Sequence, residues 1–124
     1  VTVVSTVDRT GKPSPTLTFE NGPFLNRGRP IYILVDKGTA SAAEVFAAAL
    51  QGNRCAKVVG ENTYGKGLVQ SIQRLTDSSA VVLTVAKYRT PQGEDINGKG
   101  VTPNLKVASA PGSDAVDCLD AALR

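Results

Sequence analysis

The chain has 124 residues, a length that suits one domain with a single hydrophobic core. Its 14 basic and 11 acidic residues give a net charge of +3 without a block of like charges, and it has three Phe, three Tyr and no Trp, which argues against nucleic-acid binding. Histidine is absent, which excludes a Ser-His-Asp or Cys-His catalytic arrangement and every His-ligated metal site within the chain.

Cysteine content and hydropathy exclude further classes of protein. Two cysteines, Cys55 and Cys118, are too few for a metal cluster or a disulfide framework, and the simplest interpretation is two buried or half-buried thiols. No apolar run approaches the roughly 18 residues of a membrane-spanning helix. We therefore expect no metal, no cofactor and no membrane span in this chain.

The first 36 residues contain three strand-like segments. The β-branched run VTVVSTVD (1–8) is followed by the turn-rich stretch RTGKPSP, and TLTFE (16–20) alternates and could return as its hairpin partner. A polar loop then leads to IYILVD (31–36), a nearly continuous apolar run that predicts a strand covered on both faces.

A helix and a second buried strand follow. Residues 42–51 are rich in Ala and Leu, the strongest helix formers, and Gly52 stands where a C-terminal cap belongs. The segment CAKVVG (55–60) is a short, buried-looking strand. The succession of strand, helix and strand predicts a right-handed βαβ unit with parallel strands.

After residue 67 the sequence predicts two strands, a loop and a C-terminal helix. LVQSIQRL (68–75) and AVVLTVAKYRT (80–90) are joined by TDSS and predict a β-hairpin, and PQGEDINGKGVTPN (91–104) is a loop. Apolar positions between 115 and 123 predict a C-terminal helix with Ser113 as its cap. The whole pattern predicts an α/β fold with helices packed on a mixed sheet.

The segment GENTYGKG (60–67) nearly matches a phosphate-binding loop. Such a loop ends in Gly-Lys-Ser or Gly-Lys-Thr and opens a helix whose N-terminus binds the anion, but Gly67 stands at the hydroxyl position. The residues that follow alternate like a strand. Nucleotide binding is therefore disfavoured, and Lys66 is either a solvated lysine in a glycine bend or a residue with another role.

Ser41 lies where the strand turns into the helix, in KGTASAAEV. A serine at such a junction can be a nucleophile, because the first helical amides, beginning with Ala42, can bind a developing oxyanion. The alternative is structural: Ser41 and Glu44 have the spacing of a capping box, in which the serine only caps the helix. These residues alone leave both interpretations open.

A nucleophilic serine needs a base, and without histidine the remaining candidates are carboxylates, lysines and tyrosines. A lysine can serve if it is neutral, and burial lowers the pKa of a lysine. Lys66 is the candidate base, and Gln70, four residues later, could hold its amine by a neutral hydrogen bond.

These segments resemble a known family. KGTASAAEVFAAALQGNRCAKVVGENTYGKGLVQS, followed by TPQGEDINGKGVTPN, is similar in order and spacing to the catalytic region of the carboxyl-terminal processing proteases, also called tail-specific proteases, which are serine peptidases of the S41 type. The resemblance covers roughly residues 30–105. Thr39 and Ala43 stand where the family often has Ser, and neither of these two differences falls on a residue with an inferred catalytic role.

The resemblance implies a set of roles. Ser41 would be the nucleophile, Lys66 the general base, Gln70 the residue that orients the lysine, and the Ala42 backbone amide one oxyanion donor. It also implies a fold of the crotonase and Clp-protease α/β type. We expect residues 1–124 to form a single partial catalytic domain, with a second oxyanion donor and a substrate-binding PDZ-type domain outside this chain.

The implied activity is that of a serine endopeptidase acting near the C-termini of protein substrates, so the expected partners are peptide or protein tails and not nucleic acid. The expected compartment is the bacterial periplasm or the chloroplast thylakoid lumen. The competing hypothesis is a non-catalytic module, in which Ser41 caps the helix and strands between 68 and 89 pair with a partner peptide edge to edge.

Overall fold

The computed structural model describes residues 1–17 and 28–107. The predicted C-terminal helix and Cys118 lie outside these residues, as do positions 18–20 of the predicted second strand. No helix in the described ranges is long and apolar enough to span a membrane.

Strands and one helix alternate along the described chain. In order they are β1 (Thr2–Val7), β2 (Pro13–Leu17), β3 (Tyr32–Val35), α1 (Ala42–Gly52), β4 (Lys57–Gly60), β5 (Leu68–Arg74), β6 (Ala80–Arg89) and β7 (Leu105–Lys106). An antiparallel sheet has the order β2-β1-β6-β5, and a parallel sheet has the order β3-β4-β7. The α/β class is confirmed, with the parallel and antiparallel pairs lying in two separate sheets.

The predicted succession of strand, helix and parallel strand is confirmed. Strand β3 pairs in parallel with β4, with Tyr32 opposite Lys57 and Val35 opposite Gly60. Helix α1 connects them and buries a stripe spaced three and four residues apart, formed by Glu44, Ala47 and Ala48. The small alanines contribute to a core completed by Val35, Val58, Ile96 and Val101.

One helix boundary and the burial of one strand differ from the sequence prediction around this unit. Gly52 is the last residue of α1, and Asn53 is the C-cap, one residue later than predicted. The prediction that the first strand of the unit is covered on both faces is wrong, because Tyr32 and Leu34 are 37% and 40% exposed. Among the described strands β3 is the edge of its sheet, and its side with Ile33 and Val35 packs against the core.

The N-terminal hairpin is confirmed with an earlier second strand. Strand β2 begins at Pro13, inside the predicted turn, and pairs antiparallel with β1. Pro13 and Pro15 are tolerated because β2 is the outermost strand of its sheet, where a missing N–H costs no ladder hydrogen bond.

The second hairpin, β5–β6, is confirmed at its predicted position. Its pairing runs from Leu68 opposite Lys87 to Arg74 opposite Ala80, with one irregularity between Val69 and Gln70. Strand β5, and not a helix, follows Gly67, so the lysine loop does not lead into a helix N-terminus and the phosphate-loop geometry is not formed.

Candidate active site

Ser41 has an unusual backbone conformation at the junction between β3 and α1. Its φ of 55° and ψ of −120° lie in a region that residues with a side chain seldom adopt. Such a conformation costs about 1–3 kcal/mol and persists only where neighbouring contacts impose it, which is frequent at active sites. The contacts that hold Ser41 therefore bear directly on function.

The turn before Ser41 is fixed by Asp36. Asp36 Oδ1 accepts hydrogen bonds from the backbone N–H groups of Gly38 and Thr39, both at 2.9 Å, and from Thr39 Oγ1 at 3.1 Å. The hydrogen bond from the Thr39 side chain, followed by that from the Gly38 amide, holds the pKa of Asp36 below its ordinary value. The turn that delivers the chain to Ser41 is thus built around a carboxylate.

The capping-box arrangement predicted for Ser41 and Glu44 is present, although only its glutamate half forms a hydrogen bond. The backbone N–H of Ser41 donates to Glu44 Oε2 at 2.8 Å, which is the glutamate half of the motif. The Ser41 side chain faces the first turn of α1, but the Glu44 amide donates to the Ser41 carbonyl oxygen at 3.0 Å, and the hydroxyl makes no capping hydrogen bond. The hydroxyl is therefore available for another partner.

The amide next to Ser41 is also available. Ala42 is the first residue of α1 and is exposed, and its N–H donates to no other group in the described part of the chain. An unpaired N–H at a helix N-terminus, beside a serine hydroxyl, is the arrangement that stabilises an oxyanion.

Glu44 is the centre of the site. Its side chain is fully buried, and its Oε1 accepts hydrogen bonds from Thr63 Oγ1 at 2.5 Å and from the Gly65 N–H at 2.6 Å. Its Oε2 accepts from the Ser41 N–H and from the Lys66 N–H at 2.9 Å. Four donors surround one carboxylate, which satisfies a buried charge and joins the α1 turn to the lysine loop.

The shared oxygen brings Ser41 and Lys66 together. Because their backbone nitrogens lie 2.8 Å and 2.9 Å from Glu44 Oε2, the two nitrogens are at most 5.7 Å apart, which is the sum of those distances. A second link joins the same segments, since the Tyr64 N–H donates to the Thr39 carbonyl oxygen at 2.9 Å. The Lys66 side chain itself is exposed.

Gln70 follows on β5, where its side chain is exposed. It pairs with Thr84 directly after the irregularity that leaves Val85 as an extra residue on β6. Bulges of this kind are frequent beside active sites, where they change the direction of side chains.

Gly65 and Gly67 place the lysine loop against the segment 95–100. A Cβ on Gly65, whose φ is 88°, would stand 3.0 Å from the Gly100 nitrogen, and one on Gly67 would stand 2.4 Å from the Asn97 nitrogen. The Gly98 N–H also donates to the Gly65 carbonyl oxygen at 2.9 Å. The two glycines thus permit backbone-to-backbone packing below Lys66.

Sequence reasoning missed two residues of this network. The sequence pattern predicts for Glu44 only the role of partner in a helix cap, and it predicts no role for Thr63. Thr63 is buried, and its Oγ1 both donates to Glu44 and accepts from the Val101 N–H at 2.6 Å. A signal for Glu44 was present, because a glutamate on the same helical stripe as Ala47 and Ala48 must be buried and therefore needs several donors.

Comparison with known proteins identifies the family of the chain. The model of the family "Peptidase family S41" matches residues 1–107. The chain belongs to peptidase family S41. The S41 chain is 46% identical over 103 residues to the carboxyl-terminal-processing protease of Synechocystis, covering 83% of this chain and 23% of the relative.

Other S41 relatives give the same result. The chain is 43% identical over 105 residues to carboxyl-terminal-processing peptidase 1, chloroplastic, of Arabidopsis thaliana, covering 85% of this chain and 21% of the relative. The solved structure of a photosystem II D1 C-terminal processing protease superposes with a TM-score of 0.74 and 38% identity, covering 86% of this chain and 27% of that one. This S41 chain therefore spans about a quarter or less of the length of these three matches.

Proposed function

We propose that this chain carries the catalytic groups of a serine endopeptidase that cleaves protein substrates near their C-termini. Ser41 is the nucleophile, Lys66 the general base, Gln70 the residue that orients the lysine, and the Ala42 N–H an oxyanion donor. The observation that supports this most strongly is the shared Glu44 Oε2, which binds the backbones of the proposed nucleophile and base at once.

The proposed reaction has two stages. Ser41 Oγ attacks the carbonyl carbon of the scissile peptide bond while Lys66 Nζ accepts the hydroxyl proton, and the negative charge that develops on the carbonyl oxygen is stabilised by the Ala42 N–H. Lys66 then gives its proton to the leaving amine, which leaves an acyl-enzyme ester on Ser41. Water, deprotonated by the same amine, hydrolyses this ester and restores both residues.

The lysine must be neutral when it accepts the proton. The Lys66 side chain is exposed in this chain, so water has to be excluded from it at the time of reaction. A polypeptide bound over Ser41 and Lys66 would exclude that water, and loss of water favours the neutral amine. Gln70 would support this form through its side-chain NH2 group, which can donate a hydrogen bond to the lone pair of a neutral amine but not to an ammonium group.

The remaining parts of the proposed enzyme concern the whole protein. We expect a second oxyanion donor and a PDZ-type domain for substrate tails outside this chain, whose matches are several times longer. The names of the relatives, carboxyl-terminal-processing protease and peptidase, support action near C-termini. Their cyanobacterial and chloroplastic origins support a bacterial periplasm or a thylakoid lumen as the compartment.

The competing proposal, a non-catalytic peptide-binding module with Ser41 as a helix cap, is less well supported. Ser41 and Glu44 have the arrangement of a capping box, as this alternative requires, but the Ser41 hydroxyl makes no capping hydrogen bond. Moreover, a capping role gives no reason for the left-handed φ of Ser41, because N-cap residues ordinarily adopt β-region angles.

The test is cleavage of an unstructured protein, β-casein, by the whole protein and its variants. Ser41→Ala and Lys66→Ala are each expected to lower kcat by about a thousandfold or more, since loss of either member of such a pair removes the chemical step. Lys57→Ala, which removes an exposed lysine on β4, is the matched control and should cleave normally. Cleavage retained by Ser41→Ala or Lys66→Ala, with unchanged thermal unfolding, would contradict the proposal.

A further inference from the structure

The outer edge of β5 is the feature from which we infer how substrate is held. Strand β5 is the last strand of its sheet and pairs with β6 on one side only in the described part of the chain. It begins at Leu68, two residues after Lys66, so one end of this edge lies at the proposed site. A free edge that starts beside a proposed nucleophile and base is placed to bind the polypeptide that they cleave.

The direction of the backbone groups on this edge follows from the hairpin. The Gly67 carbonyl oxygen accepts from the Tyr88 N–H at 2.7 Å, and the Leu75 N–H donates to the Ser79 carbonyl oxygen at 2.8 Å, so both residues face the β6 side. Because backbone groups alternate sides along a strand, Leu68, Gln70 and Ile72 turn their N–H and C=O groups outward.

This edge lacks the features that usually protect an exposed edge. Proteins block such edges with proline, lysine or a bulge on the edge strand. Residues 68–73 contain none of these residue types, the extra residue of the bulge lies on β6, and the first charge is Arg74 at the far end. Ile72 is 67% exposed beside the outward groups. Within residues 1–17 and 28–107, the edge is open both to hydrogen bonding and to apolar contact.

We propose that the substrate polypeptide binds as an added strand on the outer edge of β5, hydrogen-bonded to the backbones of Leu68, Gln70 and Ile72. The occupant is an extended, unstructured segment on one side of the scissile bond, with an apolar residue beside Ile72. The edge is about 20 Å long at about 3.3 Å per residue, so it holds roughly six residues. This inference rests on the proposed function, because it assigns the bound strand to the substrate of Ser41.

The binding step can be tested without cleavage. In the whole protein carrying Ser41→Ala, amide hydrogen exchange is measured with and without a synthetic peptide of about eight residues built from Val, Thr and Ala, a length that covers the edge. The peptide is expected to protect the amides of Leu68, Gln70 and Ile72. The same peptide with every second amide N-methylated should protect them far less, since it cannot complete the ladder.

A proline pair tests the backbone contact directly. Ile72→Pro removes one outward N–H, and we expect the peptide affinity to fall about threefold to tenfold, the usual effect of one lost hydrogen bond. Val82→Pro is the matched control: Val82 lies opposite Ile72 on the same hairpin, and its N–H points away from β5. Its peptide affinity should equal that of the Ser41→Ala parent, with similar thermal unfolding for both prolines.

The outcomes separate this inference from the proposed function. Protection of the three β5 amides supports it even if the protein with Ser41 intact fails to cleave, in which case only the proposed function fails. The inference is wrong if these amides are already protected in the peptide-free protein, if the peptide protects another segment instead, or if Val82→Pro weakens binding as much as Ile72→Pro does.

Discussion

At the scale of single residues, Glu44 is the residue that most determines how the site is arranged. One buried carboxylate accepts four hydrogen bonds, and two of the donors are the amides of Ser41 and Lys66. Its contact with Ser41 helps to maintain the strained backbone of that residue, which would otherwise relax. Glu44 is therefore a positioning residue for the proposed dyad, although it need not touch substrate.

We predict that Glu44→Gln lowers the free energy of unfolding by about 2–3 kcal/mol, because the amide nitrogen of Gln faces two of the four hydrogen-bond donors, which then lack an acceptor. In a cleavage assay we expect kcat to fall while KM changes little, since substrate contacts remain. Glu61→Gln is the control: the Glu61 side chain has no hydrogen-bond partner among the described residues, and its loss of charge should change stability by less than about 0.5 kcal/mol. Equal effects of the two changes would contradict the role of Glu44.

At the scale of elements, the sequence predicted the parts whose periodicity is local. Alternation predicted β5 and β6, and an Ala-rich run between two apolar runs predicted α1 between β3 and β4. The start of β2 at Pro13 was missed because proline is excluded from central strands and allowed on edges, and edge position depends on the whole sheet. The exposed face of β3 was missed for the same reason.

The loop that carries Lys66 depends on close packing against residues 95–100, and a pair of glycines tests this. Gly65→Ala and Gly93→Ala place a Cβ at nearly the same φ, 88° and 87°, but only the Cβ at position 65 meets other backbone atoms. Gly93→Ala should cost about 1–2 kcal/mol for the left-handed conformation alone. Gly65→Ala should cost clearly more and should lower cleavage, as measured by denaturant unfolding and kcat. Equal stability losses would show that the packing contributes nothing.

At the scale of the whole molecule, the site is assembled from segments that are distant in sequence. Glu44 reaches Thr63 and Lys66, and Thr63 reaches Val101. The sequence indicated Ser41, Lys66, Gln70 and Ala42 as candidates from local geometry, chemical elimination and family resemblance. It did not indicate the network that joins them, because hydrogen bonds between loops depend on three-dimensional packing and leave no periodic pattern.

The most direct measurement of the central claim is detection of the acyl-enzyme. The whole protein is mixed with an activated ester of an N-acylated amino acid, quenched with acid during turnover, and mapped by mass spectrometry. The account predicts that the acyl group is attached to Ser41 Oγ and that Lys66→Ala abolishes the adduct while the chain remains folded. Attachment of the acyl group to another residue, or undiminished turnover in Ser41→Ala, would contradict it.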